Sequence, residues 1–188
     1  MLGMTPTASK KAGKGREIRF AIGESFLGWL IVAATEKGIC AIEFGDSPEA
    51  LVQTIHQQFP QAIFHENDQI LAQWLAQVIT FIEVPKRELN LPFDIQGTVF
   101  QQQVWQALQS IPLGTTLSYG ELATKISNPK AVRAIARACA SNKVAVAIPC
   151  HRVVGRDGKL TGYRWGIGRK EALLARESLT SLVAAEFV

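Results

Sequence analysis

The chain is short of the residues that staple or metallate small proteins. It has three cysteines, Cys40, Cys139 and Cys150, and three scattered histidines, His56, His65 and His151. An odd cysteine count with no CxxC spacing argues against a disulfide framework and against a structural zinc site. Three unpaired thiols suit a reducing compartment. Long apolar runs are also missing: none approaches the roughly 20 residues that span a bilayer. Lys10, Lys11 and Lys14 are followed by no apolar h-region, so Met1–Gly15 reads as a flexible tail or linker remnant, not a signal peptide.

What is present belongs to a soluble globular protein. Hydrophobic residues make up 47% and charged residues 19% of 188, enough for one ordinary domain or two small ones. Net charge is only +4, but it is unevenly spread: residues 114–188 hold 12 of 20 Lys and Arg and 5 of 16 Asp and Glu. That half is either a solvated basic face or a nucleic-acid footprint.

The first part reads as a small α+β unit. Ile18–Ile22 alternates with period two, and Trp29–Thr35 and Ile39–Phe44 follow as strands around the turn Glu36-Lys37-Gly38. Together they predict an antiparallel sheet. Ser47-Pro48 starts a helix carrying Leu51, Ile55 and Phe59 on one face. A second helix is predicted over Asn67–Val84, stopped by Pro85, and Leu91–Ile95 reads as an extended connector.

The second part is mainly helical. Thr98–Ile111 places Phe100, Val104, Trp105 and Leu108 on one face. Ser118-Tyr119-Gly120-Glu121 is a capping box that opens a short helix. Asn128-Pro129 then begins another, predicted over Pro129–Ser141, with Asn142 as a left-handed C-cap. Two short helices joined by a tight turn form a helix-turn-helix. The second carries five alanines (131, 134, 136, 138 and 140) and few long polar side chains. It lacks the set of base-reading residues that major-groove helices carry. Such a helix either packs inside a core or approaches a narrow groove closely and inserts one arginine.

Val144–Ile148 reads as a short buried strand, and Pro149 ends it, so that Cys150 is delivered beside His151 and Arg152. The thiol is either a small buried hydrophobe or a nucleophile whose pKa neighbouring cations lower. On an extended segment Cys150 and His151 point to opposite faces. A direct protease-like pair is therefore strained, and a water bridge fits better. The zinc-deaminase signature is missing.

Several motifs in linked order carry a resemblance. They are Phe100-Gln101-Gln102-Gln103-Val104-Trp105, Ser118-Tyr119, Asn128-Pro129-Lys130-Ala131-Val132-Arg133-Ala134, Ile148-Pro149-Cys150-His151-Arg152-Val153-Val154 and Gly162-Tyr163-Arg164-Trp165-Gly166. The chain resembles the O6-alkylguanine-DNA alkyltransferases, strongly over about residues 97–178 and more weakly back to residue 18. Within that family it is most similar to the methyltransferase part of bacterial adaptive-response regulators. The resemblance implies a ribonuclease H-like α+β domain over 18–90 and a winged helix-turn-helix domain over 91–188, after a tail at 1–17.

It also implies the chemistry. Cys150 matches the alkyl acceptor, His151 and Glu177 the relay that holds it as thiolate through a water, and Asn142 the residue ordering the active-site turn. Tyr119 matches the residue that presses on the target phosphate and protonates the departing base. Arg133 matches the finger filling the stack of a flipped nucleotide, with Ala134 on the same helix. Pro149, Val153 and Tyr163 match the base pocket with Arg164 beside them, and Lys170 matches a basic residue near the leaving group. The implied partner is double-stranded DNA, entered from the minor groove, with an alkylated base flipped out. A cytoplasmic, nucleoid-associated monomer is expected, with no cofactor, no metal and no membrane. The regulator's additional domains do not fit in residues 1–17, so the chain is expected to be a stand-alone alkyltransferase or a piece of a larger regulator.

Overall fold

A four-stranded sheet organises the first half of the computed structural model, which describes residues 15–66, 68–85 and 89–186. Most of the expected tail, and Asn67, lie outside the described residues. Strands β1 (Glu17–Ser25), β2 (Gly28–Thr35) and β3 (Gly38–Gly45) form an antiparallel meander. The fourth strand, β4 (Ile63–Glu66), pairs in parallel with β1, giving the order β3-β2-β1-β4. The sheet is therefore mixed and not wholly antiparallel as expected. Helix α1 (Pro48–Gln58) leaves the β3 edge and the chain returns at the opposite edge, and such a crossover brings a strand back parallel.

Both sheet faces are covered, which is why β2 and β3 are buried nearly throughout and do not alternate. Ser47 caps α1, which packs Leu51 and Ile55 with Ile18, Phe20, Ile31 and Ala41 on one face. Asp68 caps α2 (Gln69–Glu83), whose Leu71, Leu75, Val78 and Ile82 are buried on the other. The second core continues without a break into the C-terminal half through Trp105, Leu108, Ile135, Ile148 and Leu173.

The open edge of β3 is closed by that half of the chain. Ile39 N–H donates to Pro92 O at 2.8 Å and Ile39 O accepts from Asp94 N–H at 2.8 Å. Further along, Ile42 exchanges the same pair of bonds with Lys143 O and Ala145 N–H at 2.8 and 2.9 Å. An exposed edge row of donors and acceptors is thereby satisfied internally.

Helix α3 (Val99–Gln109) opens on a capping box of Thr98 and Gln101. Strand β5 (Leu117–Ser118) leads into α4 (Tyr119–Lys125), whose capping box is the expected Ser118–Glu121 pair. A left-handed residue, Ser127 with φ 56°, ends α4 as Asn128 N–H reaches back to Ala123 O at 2.9 Å. The second helix of the motif, α5, is Val132–Ala140. It starts later than predicted, because Asn128–Lys130 forms a turn first. Its C-cap is Ser141, with φ −85°, so Asn142 is not the left-handed cap the sequence suggested. A single-turn 3-10 helix, Cys150–Arg152, precedes β6 (Val153–Val154), and α6 (Ile167–Glu186) closes the chain.

One glycine ties the halves together. Gly38 has φ 141°, and a Cβ built there would lie 2.6 Å from the backbone carbonyl of Pro92. Neither backbone can yield without breaking the Ile39 bonds. Gly38→Ala is expected to destabilise the protein by about 2 kcal/mol or more. A urea midpoint equal to that of the unsubstituted chain would show that the connector does not seat on β3.

Candidate active site

The segment before the key cysteine is a turn, not the predicted strand. Only Val144 makes a bridge, to Ile42, and residues 145–147 turn sharply. Val146 is buried with φ 61°, a conformation that β-branched residues rarely adopt. Asn142 holds this turn from inside. Fully buried, its Oδ1 accepts from Val144 N–H at 2.9 Å, and its Nδ2 donates to Ile148 O at 2.9 Å and to Cys150 Sγ at 3.3 Å. One side chain therefore shapes the turn and touches the thiol.

Cys150 opens the 3-10 helix and is 5% exposed. The extended Cys150–His151 geometry expected from sequence is replaced by a helical one, because Arg152 N–H bonds back to Pro149 O at 3.0 Å. Burial pushes the thiol up to about 11, and the Asn142 N–H, Lys170 and Arg164 only partly oppose it. Neighbouring cations do not dominate, as the sequence reading supposed. At neutral pH the resting thiol keeps its proton.

His151 turns away from the thiol towards α6. Its Nε2 lies 2.8 Å from Glu177 Oε1, while its buried Nδ1 has no protein partner. Burial holds the imidazole below its ordinary pKa even against the Glu177 charge, so the neutral ring donates through Nε2 and carries its lone pair on Nδ1. Arg152, expected beside the thiol, instead clasps Glu177: its Nε lies 2.9 Å from Oε2 and its Nη2 2.8 Å from Oε1. Its Nη1 donates to Ile111 O at 2.7 Å, reaching the end of α3. Burial alone would raise the Glu177 pKa, but the bonds from His151 and Arg152 prevail and set it at about 2. It is a buried, fully paired carboxylate.

Parallel pairing of β5 with β6, Leu117 opposite Val153 and Ser118 opposite Val154, brings Tyr119 to this site. The half-buried phenol is raised by burial and then by the nearby Cys139 and Cys150 thiols. Val153 is fully buried and Pro149 is buried behind the cysteine. Lys170, fully buried, spans the loop after β6 by donating to Val153 O at 2.5 Å and Thr161 O at 2.9 Å. Burial lowers its pKa, and the two thiols partly restore it. Tyr163 sets its ring edge-on to His151, with centroids 6.4 Å apart, and to Trp165, at 5.1 Å.

Cys150, His151, Glu177, Asn142, Tyr119, Val153, Tyr163, Lys170 and Pro149 thus gather in one region. Arg133 and Ala134 stand apart, exposed on the outer face of α5. Arg164 is drawn to Glu43, an acid the sequence reading passed over, at 3.3 Å. Cys139 was also passed over. It lies on the inner side of α5, and burial first, then the proximity of the Cys150 sulfur, pushes its thiol up to about 12. Nothing in the spacing of Glu43 or Cys139 distinguishes them from core residues. Among the described residues no group of His, Cys, Asp and Glu could hold a metal, and no helix is long and apolar enough to cross a membrane.

Comparison with known proteins identifies the family. Residues 18–95 match the family model described as 6-O-methylguanine DNA methyltransferase, ribonuclease-like domain, and residues 99–179 match the DNA binding domain of the same description. The chain is 51% identical to the regulatory protein ada of Salmonella typhimurium over 94% of its own length, but spans only 50% of that protein. It is 37% identical to the inducible methylated-DNA–protein-cysteine methyltransferase of Bacillus subtilis, over 80% of the chain and 84% of the relative. The Mycobacterium tuberculosis OGT, solved in complex with DNA, superposes with a TM-score of 0.73 at 33% identity, covering 86% of this chain and 94% of that one.

The Glu177 network makes stability depend on acid in a defined way. In water the two groups titrate near 6.5 for His151 and 4.5 for Glu177, and the fold depresses both. The unfolded chain therefore binds more protons, and stability falls as pH drops, first through 6.5 and then from 4.5 towards the folded Glu177 value of about 2. The Glu177 share is on the order of 3 kcal/mol at neutral pH. Urea midpoints measured from pH 8 to 3 should be level at first and then decline. In Glu177→Gln the midpoint should be lower at pH 7 and the decline below pH 4.5 shallower. Parallel curves for the two proteins would show that Glu177 is not held ionised.

Proposed function

This chain belongs to the 6-O-methylguanine DNA methyltransferase family, and from that premise we propose that it repairs DNA by direct reversal. It transfers the alkyl group, mainly methyl, from O6 of guanine, and also from O4 of thymine, to Cys150. The observation that carries this reading is a thiol held by Asn142 beside a neutral histidine that is itself anchored on an ionised, buried glutamate. A thioether does not revert, so each molecule acts once.

The proposed chemistry is a single in-line displacement. The Cys150 proton passes through a water to His151 Nδ1, and Glu177 stabilises the imidazolium by accepting from Nε2. Lys170 adds positive charge beside the thiolate. Sulfur attacks the alkyl carbon, the S–C bond forms, and the C–O pair departs with the base. Tyr119 gives the base a proton and is recharged from solvent, while His151 releases to solvent the proton it took from Cys150. Atoms and electrons balance between thiol, base and water, so no cofactor enters.

An O6 carbon inside the stack offers no in-line approach, so the nucleotide must be flipped out, at a few kcal/mol. We propose that α5 enters the minor groove, where Ala134 permits close approach and Arg133 fills the gap left in the stack. Pro149, Val153 and Tyr163 wall the flipped base, with Arg164 beside them. Contacts to the backbone, not to base edges, suit a search for lesions in any sequence. The same reading makes residues 91–188 the domain that binds DNA and accepts the alkyl group, with 18–90 its brace, acting as a monomer at the nucleoid in the cytoplasm.

Incubation with an O6-methylguanine duplex, followed by digestion and mass spectrometry, should find one methyl on the Cys150 peptide, and none in Cys150→Ser. A methyl-free Cys150 would sink the proposal. For Arg133→Ala, repair in duplex DNA should slow by about tenfold or more while transfer from free O6-benzylguanine is nearly unchanged. Equal slowing of both substrates would make Arg133 a structural residue.

A further inference from the structure

Glu43 lies on β3, in the half of the molecule that holds none of the site residues described above, yet it is only 2% exposed. A buried carboxylate needs partners, and two of its partners come from 121 and 122 residues away. The Arg164 guanidinium approaches it at 3.3 Å through both Nε and Nη2, and Trp165 donates its indole N–H to Oε2 at 2.5 Å. Gln58 of α1 donates to the other oxygen. The neighbouring Phe44 meets the Trp165 ring edge-on, with centroids 6.4 Å apart.

The segment gripped in this way has little to place it otherwise. Tyr163–Trp165 lies between Gly162 and Gly166, both at positive φ, and forms a turn that belongs to no strand or helix. Its position depends on what its side chains hold. Trp165 is fixed by Glu43 and Phe44, and Trp165 in turn packs against Tyr163, which stands edge-on to His151. A continuous chain of contacts therefore runs from the sheet to the His151 ring beside Cys150.

We propose that Glu43 is a positioning residue for alkyl transfer: by holding Arg164 and Trp165 it sets Tyr163 as the wall against which the flipped base is seated. The inference rests on the alkyl-transfer reading above. It gives the ribonuclease-like half a positioning part in the reaction. Glu43 touches neither the base nor the thiol, so its loss should weaken seating of the base and leave the reactivity of Cys150 intact.

The test uses the full chain and two reagents. Free O6-benzylguanine must be seated against Tyr163, whereas iodoacetamide is a small electrophile that needs no such seating and reports the intrinsic reactivity of Cys150. Glu43→Ala should slow transfer from O6-benzylguanine by about tenfold or more, with the concentration for half-maximal rate raised, while iodoacetamide alkylation of Cys150 is not slowed. Glu43→Gln, whose amide oxygen still accepts from Trp165, should recover the rate to within about threefold. Trp165→Phe keeps an aromatic ring but deletes the N–H, and should slow transfer by about fivefold. Wild-type transfer rates in Glu43→Ala, or in Trp165→Phe should the former not fold, would overturn the proposal. So would iodoacetamide and O6-benzylguanine rates that fall together. A wild-type chain that accepts no alkyl group would instead remove the alkyl-transfer reading, and this inference with it.

Discussion

The structure of the site hangs on one buried carboxylate. Glu177 is 3% exposed and would be intolerable there without full pairing. Arg152 supplies a two-point clasp and His151 a third donor, and the same arginine reaches Ile111 O. That single network joins the long C-terminal helix α6, the one-turn helix that carries Cys150, and the end of α3. It also decides the histidine tautomer, since a ring that donates through Nε2 must present its lone pair at Nδ1. Remove the carboxylate, and an arginine and a histidine lose their reason to be inside.

A second constraint works on the other side of the thiol. Asn142 bonds the turn before Cys150 through both ends of its amide and touches the thiol as well, and that turn includes a valine in a left-handed conformation. Strain of this kind persists only where surrounding bonds over-determine it. Asn142 and the Ile42 bridge supply those bonds. The thiol between the two constraints is protonated at rest, since burial outweighs the nearby charges. In the proposed reaction the thiol stays quiet until a base accepts its proton.

Much of this was legible from residue order. The meander strands, the Ser47 and Ser118 caps and the helix-turn-helix follow from periodicity and capping chemistry, which act over a few residues. The errors lie where partners are distant. β4 joins the sheet in parallel because a helix carries the chain across to the other edge. The run Val144–Ile148 looks like a strand by composition but turns, because Asn142 satisfies its backbone from within. Arg152 was read as a cation for Cys150, and it serves Glu177 instead. Glu43 and Cys139 carried no local signal at all.

By itself the sequence determined which reactive groups are present. A cysteine in an Ile-Pro-Cys-His-Arg-Val setting, a lean alanine-rich helix with Arg133, and an acid at Glu177 are covalent facts that no fold alters. Only the tertiary structure decided how these groups act on one another. It buried the thiol, chose which nitrogen of His151 faces Glu177, turned Arg152 towards Glu177, and brought Glu43 to Arg164 and Trp165. The physical reason is that desolvation and pairing depend on which surfaces meet, and here they meet across separations of 25, 26 and 122 residues.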